Sequence, residues 1–213
     1  MSINQSNLNE VNILLNHKFP KAKLLIVTKT RSITDIKKLI QSGISFFGEN
    51  RLQEAEKKFS NIENRENLSL HLIGPLQTNK VKKALMLFDC IQTIDRKKLI
   101  DEILKYKDNI GIRTKSFYIQ VNIGAEEQKS GINEDNLKNL YNYCLSANIQ
   151  IEGLMCIPPN DVDPKPFFQK MVSLRDSIDL SLKLSMGMSN DYKIALDHGS
   201  NLIRVGSYIF KWW

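Results

Sequence analysis

Apolar residues follow two alternating rhythms along the chain. Eight short runs, rich in β-branched and aromatic residues, predict strands: LLIVTKT (24–30), ISFFGEN (44–50), LHLIGPL (70–76), DCIQTID (89–95), FYIQVNI (117–123), IEGLMCI (151–157), LKLSMGM (182–188) and NLIRVGS (201–207). Several are nearly continuous in apolar residues, as strands covered on both faces should be. Between them the spacing turns helical. Residues 32–42 carry Ile36, Leu39 and Ile40 on one face, with Ser32 and Asp35 spaced as a capping box and Gly43 as a C-terminal stop. Residues 96–106 align Leu99, Ile100, Ile103 and Leu104. Residues 134–147 and 166–179 repeat the theme, and a short helix over 190–198 closes at Gly199. A further amphipathic stretch, 5–17, precedes the first strand.

Strands alternating with helices imply parallel pairing through right-handed crossovers. Eight such units point to closure, so the α/β pattern predicts a single (β/α)8 TIM barrel over residues 1–213 with an extra N-terminal helix. A doubly wound open sheet is the alternative, but no glycine-rich dinucleotide loop follows the first strand. Only Ile209 to Trp213 follow the last strand, too little for a closing helix, so the N-terminal helix is expected to cover that side.

Composition changes this picture little. The formal charge is +7 over 213 residues and the pI about 9.2. The densest clusters, Lys80 to Lys83 and Arg96 to Lys98, sit at predicted helix starts and read as solvated faces. With no basic tail, zinc motif or RNA-binding signature, nucleic acid is not an expected partner. A phosphorylated small ligand would still gain from the positive field. Cys90, Cys144 and Cys156 are odd in number and lack CxxC spacing, which suits a reducing compartment. The polar start MSINQSNLNE has no apolar signal region, and no run reaches membrane-spanning length, so a soluble cytoplasmic protein is expected.

In such barrels the chemistry lies at the C-terminal ends of the strands. The first strand ends in Thr28-Lys29-Thr30. A lysine at the mouth of a water-poor barrel is expected to be desolvated, which favours the neutral amine and hence attack on an aldehyde. Taken alone, Lys29 reads more simply as a side chain snorkelling to solvent. The ends of strands seven and eight shift that balance. Gly187-Met188-Ser189-Asn190-Asp191 and Val205-Gly206-Ser207 place glycines and hydroxyls where barrels commonly hold phosphate, with Ser189 as a candidate N-cap. Strands one, seven and eight become neighbours when a barrel closes. Arg204, within an apolar strand, needs either a carboxylate or a ligand as partner. His71, at the start of its strand and far from the mouth, reads as a core histidine, and nothing marks Cys156 as activated.

The strings LLIVTKT, FFGENRLQEAEKK, LHLIGPLQTNK, IQTIDRKKL, IQVNIGAEEQKSGI, IEGLMCIP, LSMGMSNDYKIAL and GSNLIRVGSYIF resemble, in order, those of the alanine racemase-like barrels known as the YggS/PROSC family. The resemblance implies pyridoxal 5'-phosphate (PLP) as cofactor, held as an aldimine on Lys29. It implies phosphate contacts from Ser189, Gly206 and Ser207, Arg204 facing the pyridine nitrogen, Asn50 as a polar wall, and Met188 and Met155 as apolar lining. Family members commonly have serine at Thr28, threonine at Ser207 and glycine at Lys211, and longer segments near Pro20 and over 158–181. The implied role is PLP homeostasis without substantial catalysis, by a monomer whose partners are PLP and recipient PLP-dependent apoenzymes. Racemases of this fold draw a second base, a tyrosine, from an additional β-domain, for which this chain has no residues left over. A minimal amino-acid racemase using Lys29 as one base stays open, as does a basic barrel with a surface binding role.

Overall fold

The computed structural model describes residues 3–210. Lys211, where the family commonly has glycine, lies outside the described residues. Eight parallel strands close into a barrel in chain order: β1 (Lys23–Val27), β2 (Phe46–Glu49), β3 (Ser69–Leu72), β4 (Cys90–Ile94), β5 (Ser116–Val121), β6 (Ile151–Cys156), β7 (Lys183–Ser185) and β8 (Leu202–Val205). Closure is made by β1 on β8, with Leu25 opposite Arg204 and Ile26 opposite Val205. The helices are α1 (Gln5–Lys18), α2 (Ile33–Gln41), α3 (Leu52–Phe59), α4 (Val81–Leu87), α5 (Lys97–Leu104), α6 (Glu134–Ser146), α7 (Lys165–Ile178), α8 (Tyr192–Asp197) and α9 (Ser207–Phe210). The capping box at α2 is present, with Ser32 Oγ accepting from the Asp35 amide and Asp35 from the Ser32 amide.

One expectation fails at the C-terminal end. A single helical turn, α9, does follow β8. Its Ile209 and Phe210 amides donate to the Gly206 carbonyl, and both side chains are buried. One turn suffices because α1 caps it. The Asn4 amide donates to the Ile209 carbonyl at 2.8 Å, and Asn7 Nδ2 to the Tyr208 carbonyl at 2.7 Å. The N-terminal helix therefore covers this side, as its position before β1 predicts.

Residues on the outward face of the strands, among them Ile26, Phe47, Leu70, Ile91, Ile119, Leu154 and Ile203, pack with the helices into one apolar layer. The barrel interior is different. Two small apolar groups, Leu25 with Val27, Ile73 and Leu202, and Cys90 with Tyr118 and Met155, leave a polar path between them. Along it Gln92 Nε2 donates to His71 Nδ1 (2.8 Å), Ser185 Oγ to Gln92 Oε1 (2.7 Å), and Arg204 to Ser185 Oγ (2.8 Å). His71 Nε2 lies 3.0 Å from Ser69 Oγ, so a neutral ring satisfies both neighbours.

Burial holds the His71 pKa down at about 4, against an ordinary 6.5. Between these values the unfolded chain binds a proton that the folded protein refuses. The stability is therefore complete above pH 6.5 and is lost as pH falls toward 4. A shift of this size removes roughly 2 kcal/mol at pH 5. Urea unfolding at pH 7 and pH 5 should show this loss in the parent protein and a smaller one in His71→Gln. Equal losses in both would contradict the buried neutral ring.

Candidate active site

The strand ends build a cavity of about 640 Å³ at the C-terminal mouth of the barrel, a size suited to a small cofactor. Lys29, Asn50, Met188, Ser189, Arg204, Gly206 and Ser207 all line it. They come from the ends of β1, β2, β7 and β8, so the closed barrel gathers residues scattered through the sequence. Met155 is not among the lining residues; it is fully buried inside the barrel, and Ile157, two residues further on, takes the place at the rim.

Lys29 departs from expectation in its burial. It is exposed at the rim rather than desolvated. The cause is local: β1 ends at Val27, and Thr28 to Arg31 form a turn closed by the Arg31 amide on the Thr28 carbonyl at 2.9 Å. Thr30, third in that turn, sits at φ 63°, a position where glycine or asparagine is usual.

The two hydroxyl loops meet as the sequence suggests, by a different contact. Ser189 is not a helix cap, because α8 begins only at Tyr192 after Asp191. Its Oγ instead accepts from the Gly206 amide (3.3 Å) and the Tyr208 amide (3.2 Å). The Gly206 amide and the Tyr208 amide of α9 thus both point at Ser189 Oγ and tie the loop after β7 to the chain after β8, which brings the Ser189 and Ser207 hydroxyls to one side of the cavity. Asp191 Oδ1 accepts from the Met188 amide and fixes the neighbouring turn, and burial raises its pKa. Gly187 holds φ 94°, and a Cβ there would stand 2.5 Å from the Ala195 Cβ, so α8 can close over the loop only with glycine at this place.

Arg204 is buried, and its guanidinium donates to Ser185 Oγ (2.8 Å) and to the Cys156 carbonyl (2.7 Å). Neither partner is charged, and no ion pair to Arg204 is found among the described residues. Burial lowers its pKa. Cys156 itself is buried, with its thiol pushed up to about 12 by burial, so its contribution is the main-chain oxygen. Asn50 Oδ1 is buried without a hydrogen-bond partner. An orphaned acceptor of this kind costs about 1–3 kcal/mol unless something fills it. A cavity with an amine at the rim, two serine hydroxyls on meeting loops, a buried cation and an unfilled acceptor fits a phosphorylated aldehyde with a polar ring.

Sequence reasoning missed the loop after β6. Ile157, Pro158, Pro159, Asn160, Asp161 and Val162 form one wall of the cavity. The rule that barrel sites lie after strand ends covers this loop too, and its run of prolines marks an ordered wall. Also missed were Glu49 and Lys58, which lie buried behind Lys29.

A family model described as alanine racemase, N-terminal domain, matches residues 4–212. The pyridoxal phosphate homeostasis protein of Aquifex aeolicus (strain VF5) is 40% identical over 200 residues, covering 89% of this chain and 86% of its own. The protein of the same name from Haemophilus influenzae is 36% identical over 199 residues, covering 88% and 84%. PipY of Synechococcus elongatus PCC7942, 29% identical, superposes without PLP at a TM-score of 0.86, covering 97% of this chain and 99% of its own. With PLP bound the TM-score is 0.84, covering 96% and 100%. Alanine racemase of Clostridium difficile 630, 13% identical with a TM-score of 0.75, shares the fold over 98% of this chain and 56% of its own.

Proposed function

The chain belongs to the family of pyridoxal phosphate homeostasis proteins, and from that premise we propose that it holds PLP at the barrel mouth on Lys29 and serves to store and hand on the cofactor. The observation that carries this reading is the meeting of seven residues from four strand ends in one cavity. PLP, when bound, supplies an electrophilic aldehyde that condenses with primary amines. Lys29 provides the amine at the rim. Ser189 and Ser207 offer hydroxyls to the phosphate, on loops that the Gly206 and Tyr208 amides hold together through Ser189 Oγ. Asn50 offers its unfilled acceptor to the ring's polar edge, and Met188 packs beside it.

Arg204 sets the chemical character of the site. Related barrels place an arginine against the pyridine nitrogen. A guanidinium there disfavours protonation of that nitrogen and weakens the electron sink that racemisation requires. Among the described residues that line the cavity, the titratable ones are Lys29, Asp161, Asp191 and Arg204, with no tyrosine, histidine or cysteine. This supports a carrier in preference to a minimal racemase. Since all seven residues come from one chain, a monomer suffices to bind PLP, and apoenzymes that require PLP are the recipients. No helix among the described residues is long and apolar enough to cross a membrane. The three cysteines are free and buried, which fits the cytoplasm. Titrating apo-protein with PLP should give one visible band saturating at one equivalent. Adding L-alanine in deuterated water should then leave its α-proton unexchanged over hours, and exchange at useful turnover would overturn the carrier reading.

A further inference from the structure

Behind the Lys29 turn lies a buried ionic group that the cofactor contacts do not use. Lys58, on α3, is 8% exposed. Its Nζ donates to the Thr28 carbonyl (2.7 Å), to Glu49 Oε1 (2.9 Å) and to Glu54 Oε1. An ammonium has three protons, and all three are directed by these contacts. Glu49 is fully buried and also accepts from Thr28 Oγ1 at 2.6 Å. Glu54 Oε1 accepts from the Thr30 amide as well. The group thus grips the main chain on both sides of Lys29, at the Thr28 carbonyl and, through Glu54, at the Thr30 amide.

That grip falls on a strained turn. Thr30 is β-branched and sits at φ 63°, a conformation that disfavours any side chain branched at Cβ. Nothing in the local sequence favours it. Burying a lysine between two glutamates is also unfavourable unless the geometry is well satisfied. Two unfavourable features meeting at one residue's main chain call for a common purpose.

We propose that Lys58, with Glu54 and Glu49, is a clamp that holds the Thr28–Arg31 turn in its strained form and so sets where Lys29 stands at the mouth. Lys58 is a positioning residue in this scheme; it touches Lys29's backbone neighbours and not the ligand. The inference rests on the reading of Lys29 as the PLP lysine.

The test is a rescue cycle. Lys58→Met combined with Glu49→Gln and Glu54→Ala removes the clamp, the Thr30 acceptor included, without stranding a buried charge. It should weaken PLP binding about tenfold, since the turn is then free to relax. Adding Thr30→Gly should restore affinity to within roughly threefold, because glycine adopts positive φ without penalty. Thr30→Gly in the parent should change affinity by no more than about twofold. A merely structural role predicts that loss of the clamp lowers Tm while PLP affinity stays unchanged, so melts and titrations are read on the same samples. In apo-protein, amide exchange at residues 30 and 31 should speed up about tenfold without the clamp and slow again with Thr30→Gly. Should the triple variant fail to fold, Glu54→Ala alone reads the same cycle by removing only the Thr30 acceptor. Unchanged affinity without the clamp, or a loss that Thr30→Gly does not rescue, overturns the proposal. If exchange responds as stated but the parent holds no PLP on Lys29, the cofactor reading fails and the clamp stands.

Discussion

Lys29→Ala is expected to abolish the visible absorbance of the PLP-loaded protein completely while leaving the fold intact. Lys29 is exposed at the rim, so truncating it should change stability by no more than about 0.5 kcal/mol. The loops that carry Ser189 and Gly206, proposed to take the phosphate, and the guanidinium of Arg204 belong to other strand ends and remain. Residual binding should therefore be weak, non-covalent and competed by inorganic phosphate. Thermal melts and a spectral titration on the same sample separate the two effects. A visible band that survives the substitution would place the covalent attachment elsewhere.

Gly74→Ala is expected to be the most damaging single-methyl change. Gly74 follows β3, and a Cβ on it would stand 2.0 Å from the Asn50 carbonyl oxygen and 2.8 Å from both the Asn50 carbonyl carbon and Cα. All three are main-chain atoms, so no side chain can rotate away. Gly74 is itself anchored, since Thr93 Oγ1 donates to its carbonyl at 2.9 Å. Overpacking a relaxed site costs about 1–3 kcal/mol, and a main-chain clash belongs at the top of that range or above. For a chain of this size a loss of about 3 kcal/mol lowers Tm by roughly 6–12 °C. The displaced residue is Asn50, so PLP affinity should fall with it. A variant that melts within a degree or two of the parent would show that the two strand ends move apart freely.

The apolar runs located all eight strands, because an α/β barrel buries its strands on both faces and so keeps them apolar. Each predicted run extends past the observed strand toward the mouth. Residues 24–30 contain β1, which stops at Val27, and 201–207 contain β8, which stops at Val205. The overshoot has one cause: the residues after each strand end, such as Thr28 to Thr30 and Gly206 to Ser207, leave the ladder to form turns around the cavity. Hydropathy does not distinguish a strand from the functional loop that continues it. The barrel rule and the resemblance to a known family, not periodicity, are what suggest roles for those loops.

Other features were hidden for physical reasons. The helix over Leu52–Phe59 is absent from the predicted elements although Leu52, Ala55 and Phe59 stand at i, i+3 and i+7; what the pattern does not show is that its buried face also includes a lysine, Lys58. In sequence Lys57-Lys58 reads as a solvated pair. Only the fold brings Glu49, at the end of β2, and the Thr28 carbonyl, at the end of β1, against one of the two. Lys29 was legible by position and misread in burial, because the turn that carries it outward depends on a non-glycine residue at positive φ. Ser189 was legible as a residue of the barrel mouth and misread as a cap, because α8 begins two residues later than the SND string suggests.

Borohydride reduction of the PLP-loaded protein, followed by peptide mass mapping, tests the central claim most directly. The account predicts a single pyridoxyl adduct, on the peptide that carries Lys29. An adduct on any other lysine, or none in a sample that contains PLP, would contradict it.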